Sequence, residues 1–213
     1  MRAVLICVFL ALAARAEIID RIAVSVGNQV ITESDVIREI RVTAFLDKVK
    51  PDLTAAARRA TAERMVEQRL IRHELETSRY PVPKPEEVEP LLQRFKQGNF
   101  RDDAEYRQSL AEHGITEKAV LDELLWQRTL LLFIGIRFRP GVQVSDQEIQ
   151  DYFTKVVEPA ARTAHPGEPV ALEDYRGEIE NTLTGQRADK EMDAWLKEAR
   201  SRTEIVFHDE VFQ

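Results

Sequence analysis

The spacing of apolar residues constrains the fold most strongly, because it follows the helical period over most of residues 33–201. Prolines and glycines interrupt this pattern and limit the length of each helix. The pattern predicts helices over residues 33–47, 53–78, 85–98, 102–113, 116–137, 145–157 and 172–201. The chain is therefore predicted to be mainly α.

Three short segments alternate with period 2 and are predicted to be strands. Residues 22–26 form the first, Gly27-Asn28 is typical of a two-residue hairpin turn, and residues 29–31 return. A last strand is predicted over residues 204–212. Because an isolated strand is unstable, we expect it to pair with the hairpin. The fold prediction is a multi-helix core with one small sheet that joins the N-terminal hairpin to the C-terminal strand.

The clearest helix start in the chain lies at Ser145. Ser145 and Glu148 have capping-box spacing, and Val144 and Ile149 have the spacing of a hydrophobic staple. By contrast, residues 158–169 contain three prolines and a glycine, which predicts a loop.

The first 16 residues have the composition of a secretory signal peptide. Met1-Arg2 precedes an apolar stretch over residues 3–14, and Ala14-Arg15-Ala16 has the small-x-small pattern of a cleavage site. Twelve residues rise only about 18 Å as a helix, short of the ~30 Å hydrocarbon core of a membrane. We expect cleavage between Ala16 and Glu17, which leaves an exported protein that does not span the membrane. The weaker alternative is that the segment is kept as a membrane anchor.

The mature chain would be acidic and free of thiols. Removal of 16 from 213 residues leaves 197 residues, takes away Cys7, Arg2 and Arg15, and moves the formal charge from -7 to -9. A nucleic-acid partner is not expected, because binding to phosphates requires clustered cations. A second apolar run, residues 130–136, is flanked by arginines and is predicted to be a buried helix end.

No catalytic, cofactor or metal motif stands out. The four histidines are far apart, and neither a Gly-x-Ser-x-Gly nucleophile motif nor a phosphate-binding glycine loop occurs. Apolar side chains remain as the candidates for function. Such residues are more often core than surface, but helices joined by proline loops leave some apolar surface uncovered. Exposed apolar surface on an exported acidic protein suggests binding of unfolded polypeptide, and the predicted contact residues are Phe95, Phe100, Tyr106 and Trp126.

Three segments resemble the SurA-type periplasmic chaperones. Residues 20–36, DRIAVSVGNQVITESDV, are similar to the opening strand, Gly-Asn turn, second strand and helix start of that family. Residues 144–149 resemble the helix start that precedes the family's parvulin-type prolyl isomerase module. Residues 172–212, with Gln186-Arg187-Ala188 and Ala194-Trp195-Leu196, are similar to its closing helix and strand.

The chain departs from that family where the isomerase module would lie. Only the 18 residues 154–171 separate the two flanking helices, whereas an independently folding unit without metal or disulfide needs upward of ~40 residues. We therefore expect no isomerase module and a single core over residues 17–213. In this scheme residues 17–157 form its N-terminal part, residues 158–171 a loop, and residues 172–213 complete it.

The resemblance implies a periplasmic, ATP-independent holdase for unfolded polypeptides, outer-membrane protein precursors in particular. Because the isomerase module is expected to be missing, we expect no enzymatic activity, and no cofactor is expected. Two alternatives stay open: a peptidyl-prolyl isomerase, and a non-chaperone assembly subunit with one fixed partner. The sequence also leaves a homodimer open.

Overall fold

The computed structural model describes residues 20–213, which form helices around one small sheet. The predicted signal peptide and its cleavage site at Ala16 and Glu17 lie outside these residues. The strands are β1 (Ile22–Val26), β2 (Gln29–Thr32) and β3 (Ile205–Phe207). The α-helices are α1 (Glu33–Leu46), α2 (Ala55–Thr77), α3 (Glu89–Asn99), α4 (Asp103–His113), α5 (Glu117–Arg137), α6 (Asp146–Tyr152), α7 (Glu158–Ala164) and α8 (Leu172–Ser201). The predicted fold class is confirmed.

The sheet has the strand order β2-β1-β3, and both pairings are antiparallel. Val24 of β1 lies opposite Ile31 of β2 and Phe207 of β3. The predicted pairing between hairpin and C-terminal strand is therefore confirmed.

The predicted length of the last strand is wrong, because β3 ends at Phe207 and residues Asp209–Phe212 form a 3-10 helix. This turn buries Val211 and Phe212 against the main core. The Arg58 guanidinium holds it by donating hydrogen bonds to the carbonyl oxygens of Val211, at 3.0 Å, and Gln213, at 3.2 Å.

The capping box predicted at Ser145 is present. At α6, the Ser145 hydroxyl accepts from the Glu148 amide while the Glu148 carboxylate accepts from the Ser145 amide at 2.9 Å. Val144 packs with buried Ile149 in the same cluster, as a hydrophobic staple requires.

The buried side chains form three clusters. The first joins the sheet to α2, the end of α5 and the C-terminal half of α8. The second lies between the end of α1, α3, α4 and the start of α5. The third joins α6 and the residues after it to the N-terminal half of α8. Helix α8 has 30 residues, about 45 Å in length, and so contributes to the first and third clusters.

The predicted burial of the end of α5 is wrong. Phe133 is buried, but Leu131 is 65% exposed and Ile136 is 39% exposed. The apolar run 130–136 covers almost two helical turns, so its side chains point in all directions while only one face contacts the core.

The predicted loop over residues 158–171 is wrong for residues 158–164, because a π-helix, Phe153–Val157, and α7 continue the helix of α6 without a break. Residues 165–171 form a loop, as predicted. Pro159 lies in the first turn of α7, where a missing amide donor is tolerated. The helix ends only at Ala164, before Pro166 and Gly167, whose φ is +88°.

Gly114 ends α4 in the left-handed conformation, with φ 64° and ψ 38°. An added Cβ would strain this backbone and lie 3.1 Å from Nη1 of Arg41. Gly114→Ala is therefore expected to lower the free energy of unfolding by about 1–2 kcal/mol in urea denaturation. Gly177 of α8 is the matched control, because nothing lies within 4 Å of its Cβ position. Gly177→Ala is expected to raise stability by up to about 1 kcal/mol, and a loss of stability there would contradict this assignment.

Candidate functional site

Three of the four predicted client-binding residues lie together, in the second cluster. The Phe45 ring at the end of α1 is 5.6 Å from Phe95, 5.8 Å from Phe100 and 5.9 Å from Tyr106, measured between ring centroids. Tyr106 is only 1% exposed, and Phe95 and Phe100 are partly buried. In this arrangement they are core residues, so their predicted contact with clients requires the cluster to open and stays a prediction.

Trp126 lies apart from these three, in the first cluster, and is 4% exposed. The Arg72 guanidinium covers its ring at 4.1 Å from the centroid. A shallow cavity of about 300 Å³ adjoins it, lined also by Leu75 and Val82. The indole is thus covered by the protein's own arginine, and only its rim can contact a partner.

An open groove with a mostly apolar lining lies elsewhere, between the α6–α7 segment and α8. Its volume is about 440 Å³. One wall is a stripe with helical spacing along the α6–α7 segment, and the other wall is the N-terminal half of α8. The lining residues are Tyr152, Val156, Val157, Ala160, Ala161, Ala164 and His165 on the first wall, and Tyr175, Glu178, Ile179 and Thr182 on the second.

The groove is open because its first wall carries short side chains. Ala160 and Ala164 follow Val156 at intervals of four residues, so all three lie on one face of the helix. Val156 is 47% exposed and has apolar neighbours on the same face. A continuous apolar strip therefore remains accessible beside the buried side chains of Phe153 and Ile179.

A π-helix shapes this wall. The amide of Glu158 donates to the carbonyl of Phe153, five residues back, before α7 resumes the α-helical pattern. π-Helical segments are rare and occur frequently at functional sites. Here the segment ends just ahead of Pro159 and rotates the side chains that follow it relative to those of α6. The local backbone thus sets how Val156 and Ala160 face α8.

A larger cavity of about 670 Å³ lies between the end of α5 and α8, but its lining is polar. The Arg137 guanidinium donates to the carboxylate of Glu74 and the hydroxyl of Tyr80, both at 2.7 Å. Arg187 is likewise bonded to Glu148 and to the carbonyl of Gln143. Its arginines thus stabilise the fold, and we assign the groove instead as the candidate site.

A polar junction lies where α1, α2 and α5 meet, beside a cavity of about 360 Å³. Burial, and secondarily the nearby Glu39 carboxylate, raise the pKa of Glu123 to about 7. A hydrogen bond from Gln127, at 2.9 Å, and the charge of Arg72 oppose this shift. Glu123 therefore takes up a proton on folding at pH values between its ordinary 4.5 and about 7.

This uptake predicts a pH dependence of stability. The folded state binds this proton more tightly than the unfolded state does. Protonation of Glu123 therefore stabilises the fold at pH 4.5, and this stabilisation is lost as pH rises to 7. After allowance for solvent screening, the free energy of unfolding is expected to fall by about 1–2 kcal/mol over that window. Glu123→Gln should abolish this part of the slope in urea titrations at pH 5 and pH 8. An unchanged slope in Glu123→Gln would contradict the assignment.

The described part of the chain, residues 20–213, holds no group of three or more His, Cys, Asp or Glu side chains placed to bind a metal ion. None of its helices is both long and apolar enough to cross a membrane.

The sequence predictions missed the groove, although one signal could have shown it. Tyr152, Val156, Ala160 and Ala164 are spaced by four residues, which indicates an amphipathic helix through the proline-containing segment. The loop prediction for residues 158–169 followed from the three prolines of this segment and disregarded that spacing. The comparisons with known proteins add no relative, since no family model matches the chain and no curated protein is similar to it.

Proposed function

We propose that this protein is an ATP-independent periplasmic chaperone that holds unfolded polypeptides, with outer-membrane protein precursors among its clients. The groove between the α6–α7 segment and α8 is the observation that carries the proposal. It presents accessible aliphatic and aromatic side chains, Val156 and Tyr152 on one wall and Tyr175 on the other. Such a surface binds apolar segments that folded proteins bury and unfolded ones expose.

The physics of the groove suits a holdase. Burial of apolar surface contributes about 25 cal/mol per Å², depends little on the order of side chains, and needs no nucleotide. Apart from the two tyrosine hydroxyls, the polar side chains of the lining are Glu178, Thr182 and His165. Few groups therefore fix the orientation of a bound segment. A groove of this kind tolerates many client sequences, and the proposal assigns it no catalytic step.

The periplasmic location rests on the N-terminal composition and on the resemblance of residues 20–36 to the SurA-type chaperones. Client binding in the groove depends on neither the N-terminal composition nor the resemblance. It requires only that the groove between the α6–α7 segment and α8 accept an apolar segment of a client.

The experiment is an aggregation assay. An outer-membrane β-barrel protein in urea is diluted into buffer with increasing amounts of the purified chain, and light scattering is followed. We expect suppression near one chain per client, without nucleotide. Undiminished scattering at tenfold excess, together with no detectable binding of client peptides, would overturn the proposal. A single stoichiometric partner in pull-downs, with no suppression, would favour the assembly-subunit alternative.

A further inference from the structure

The surroundings of the groove are strongly acidic. Residues 144–183, which build both walls, contain nine Asp or Glu and three Lys or Arg, and so carry a net charge of -6. The whole chain carries -7, so most of the excess charge is concentrated in this segment.

The cations of this segment are all engaged in ion pairs within it. Lys155 lies 3.3 Å from Asp151, Arg162 pairs with Glu158, and Arg176 lies 2.8 Å from Asp146 and 3.2 Å from Glu173. The charge of these cations is therefore balanced by carboxylates of the same segment and does not attract an anionic ligand to the groove.

Four carboxylates of the segment form no ion pair with any residue between 20 and 213: Glu168, Asp174, Glu178 and Glu180. Glu178 lines the groove itself, one residue before buried Ile179, and is exposed. The groove thus offers an apolar floor with an uncompensated negative charge on its α8 wall.

We propose that the groove selects apolar polypeptide segments that carry lysine or arginine beside their apolar residues. This inference rests on the proposed function, and it names the class of client segment that binds best. A cation near Glu178 gains Coulomb energy at contact distance, whereas a client carboxylate is repelled by the whole wall. Charge complementarity also discriminates against clients of the wrong sign.

Salt separates this electrostatic part from apolar burial. The Debye length is about 8 Å at physiological ionic strength and about 3 Å at 1 M salt. The preference for cationic segments should therefore shrink at high salt, while the apolar contribution persists or grows.

The experiment uses two fluorescent peptides with the same apolar core, one flanked by lysines and one by glutamates, and measures Kd by anisotropy. For the intact chain we expect about tenfold tighter binding of the lysine peptide, and a preference of about twofold or less in 1 M NaCl. Glu178→Gln should reduce the preference to about threefold. The matched control is Asp189→Asn, which removes the same charge from an exposed position 11 residues, about 16 Å, further along α8. It should leave the preference unchanged.

The outcomes distinguish this inference from the proposed function. Equal Kd values for the two peptides, or tighter binding of the glutamate peptide, would overturn the inference while the holdase function stands. A preference that Glu178→Gln and Asp189→Asn reduce equally would also overturn it, because the charge would then act from the whole chain. If neither peptide binds, the proposed function itself fails.

Discussion

Replacement of Phe45 by alanine is expected to lower the free energy of unfolding by about 3–5 kcal/mol. Phe45 is 2% exposed, and its ring contacts Phe95, Phe100, Tyr106 and His113 with centroid separations between 5.4 and 5.9 Å. Of these five rings, Phe45 is the one that pairs with each of the other four. Its removal leaves a cavity that rings attached to α3 and α4 cannot fill without moving their helices.

Urea denaturation followed by far-ultraviolet circular dichroism measures this effect. Phe45→Leu is the matched variant, because it keeps most of the apolar volume and removes only the aromatic contacts; we expect a loss of about 1–1.5 kcal/mol. A loss below about 1 kcal/mol in Phe45→Ala would show that the aromatic cluster does not hold α1, α3 and α4 together.

The second large effect concerns client binding. The double variant Val156→Gln/Ala160→Gln is expected to weaken the binding of an apolar client peptide by about 30-fold, or about 2 kcal/mol. Glutamine is neutral and a good helix former, so the change keeps the charge and the helix while it fills the groove with polar side chains. Both positions are exposed, so stability should change little. The measurement is peptide Kd, with circular dichroism to confirm folding.

Leu131→Gln is the matched control for that variant. Leu131 lies on α5, outside the groove lining, and is 65% exposed. Its replacement therefore removes more exposed apolar surface than the replacement of Val156, which is 47% exposed. We expect its Kd to equal that of the unaltered chain. Loss of binding in Leu131→Gln with retention in the groove variant would move the client site to α5.

Local signals in the sequence were sufficient for much of the fold. The capping box at Ser145 and the turn at Gly114 act within a few residues, so their sequence patterns predict the observed helix ends. The alternation at Ile205 and Phe207 predicted a strand, and the instability of a lone strand was enough to place it on β1.

Features that depend on contacts between distant residues could not be predicted in this way. Phe45 was not recognised as the centre of the aromatic cluster, because helices α1, α3 and α4 meet only in the fold. Burial of Trp126 under Arg72 likewise depends on the packing of α5 against α2. The groove was missed because Pro159 suggested a loop, while the π-helix before it allows the chain to continue as helix.

Photo-crosslinking at position 156 tests the central claim most directly, namely that clients bind in the groove between α7 and α8. A photoreactive amino acid replaces Val156 in one protein and Leu131 in another, and each is irradiated with an equimolar unfolded outer-membrane protein. Both sites are exposed aliphatic positions, and position 131 is the more exposed of the two, so exposure alone would favour adducts from position 131. We predict a covalent adduct with the client from position 156 and little from position 131. Adducts from position 131 with none from position 156 would contradict this account of how the protein works.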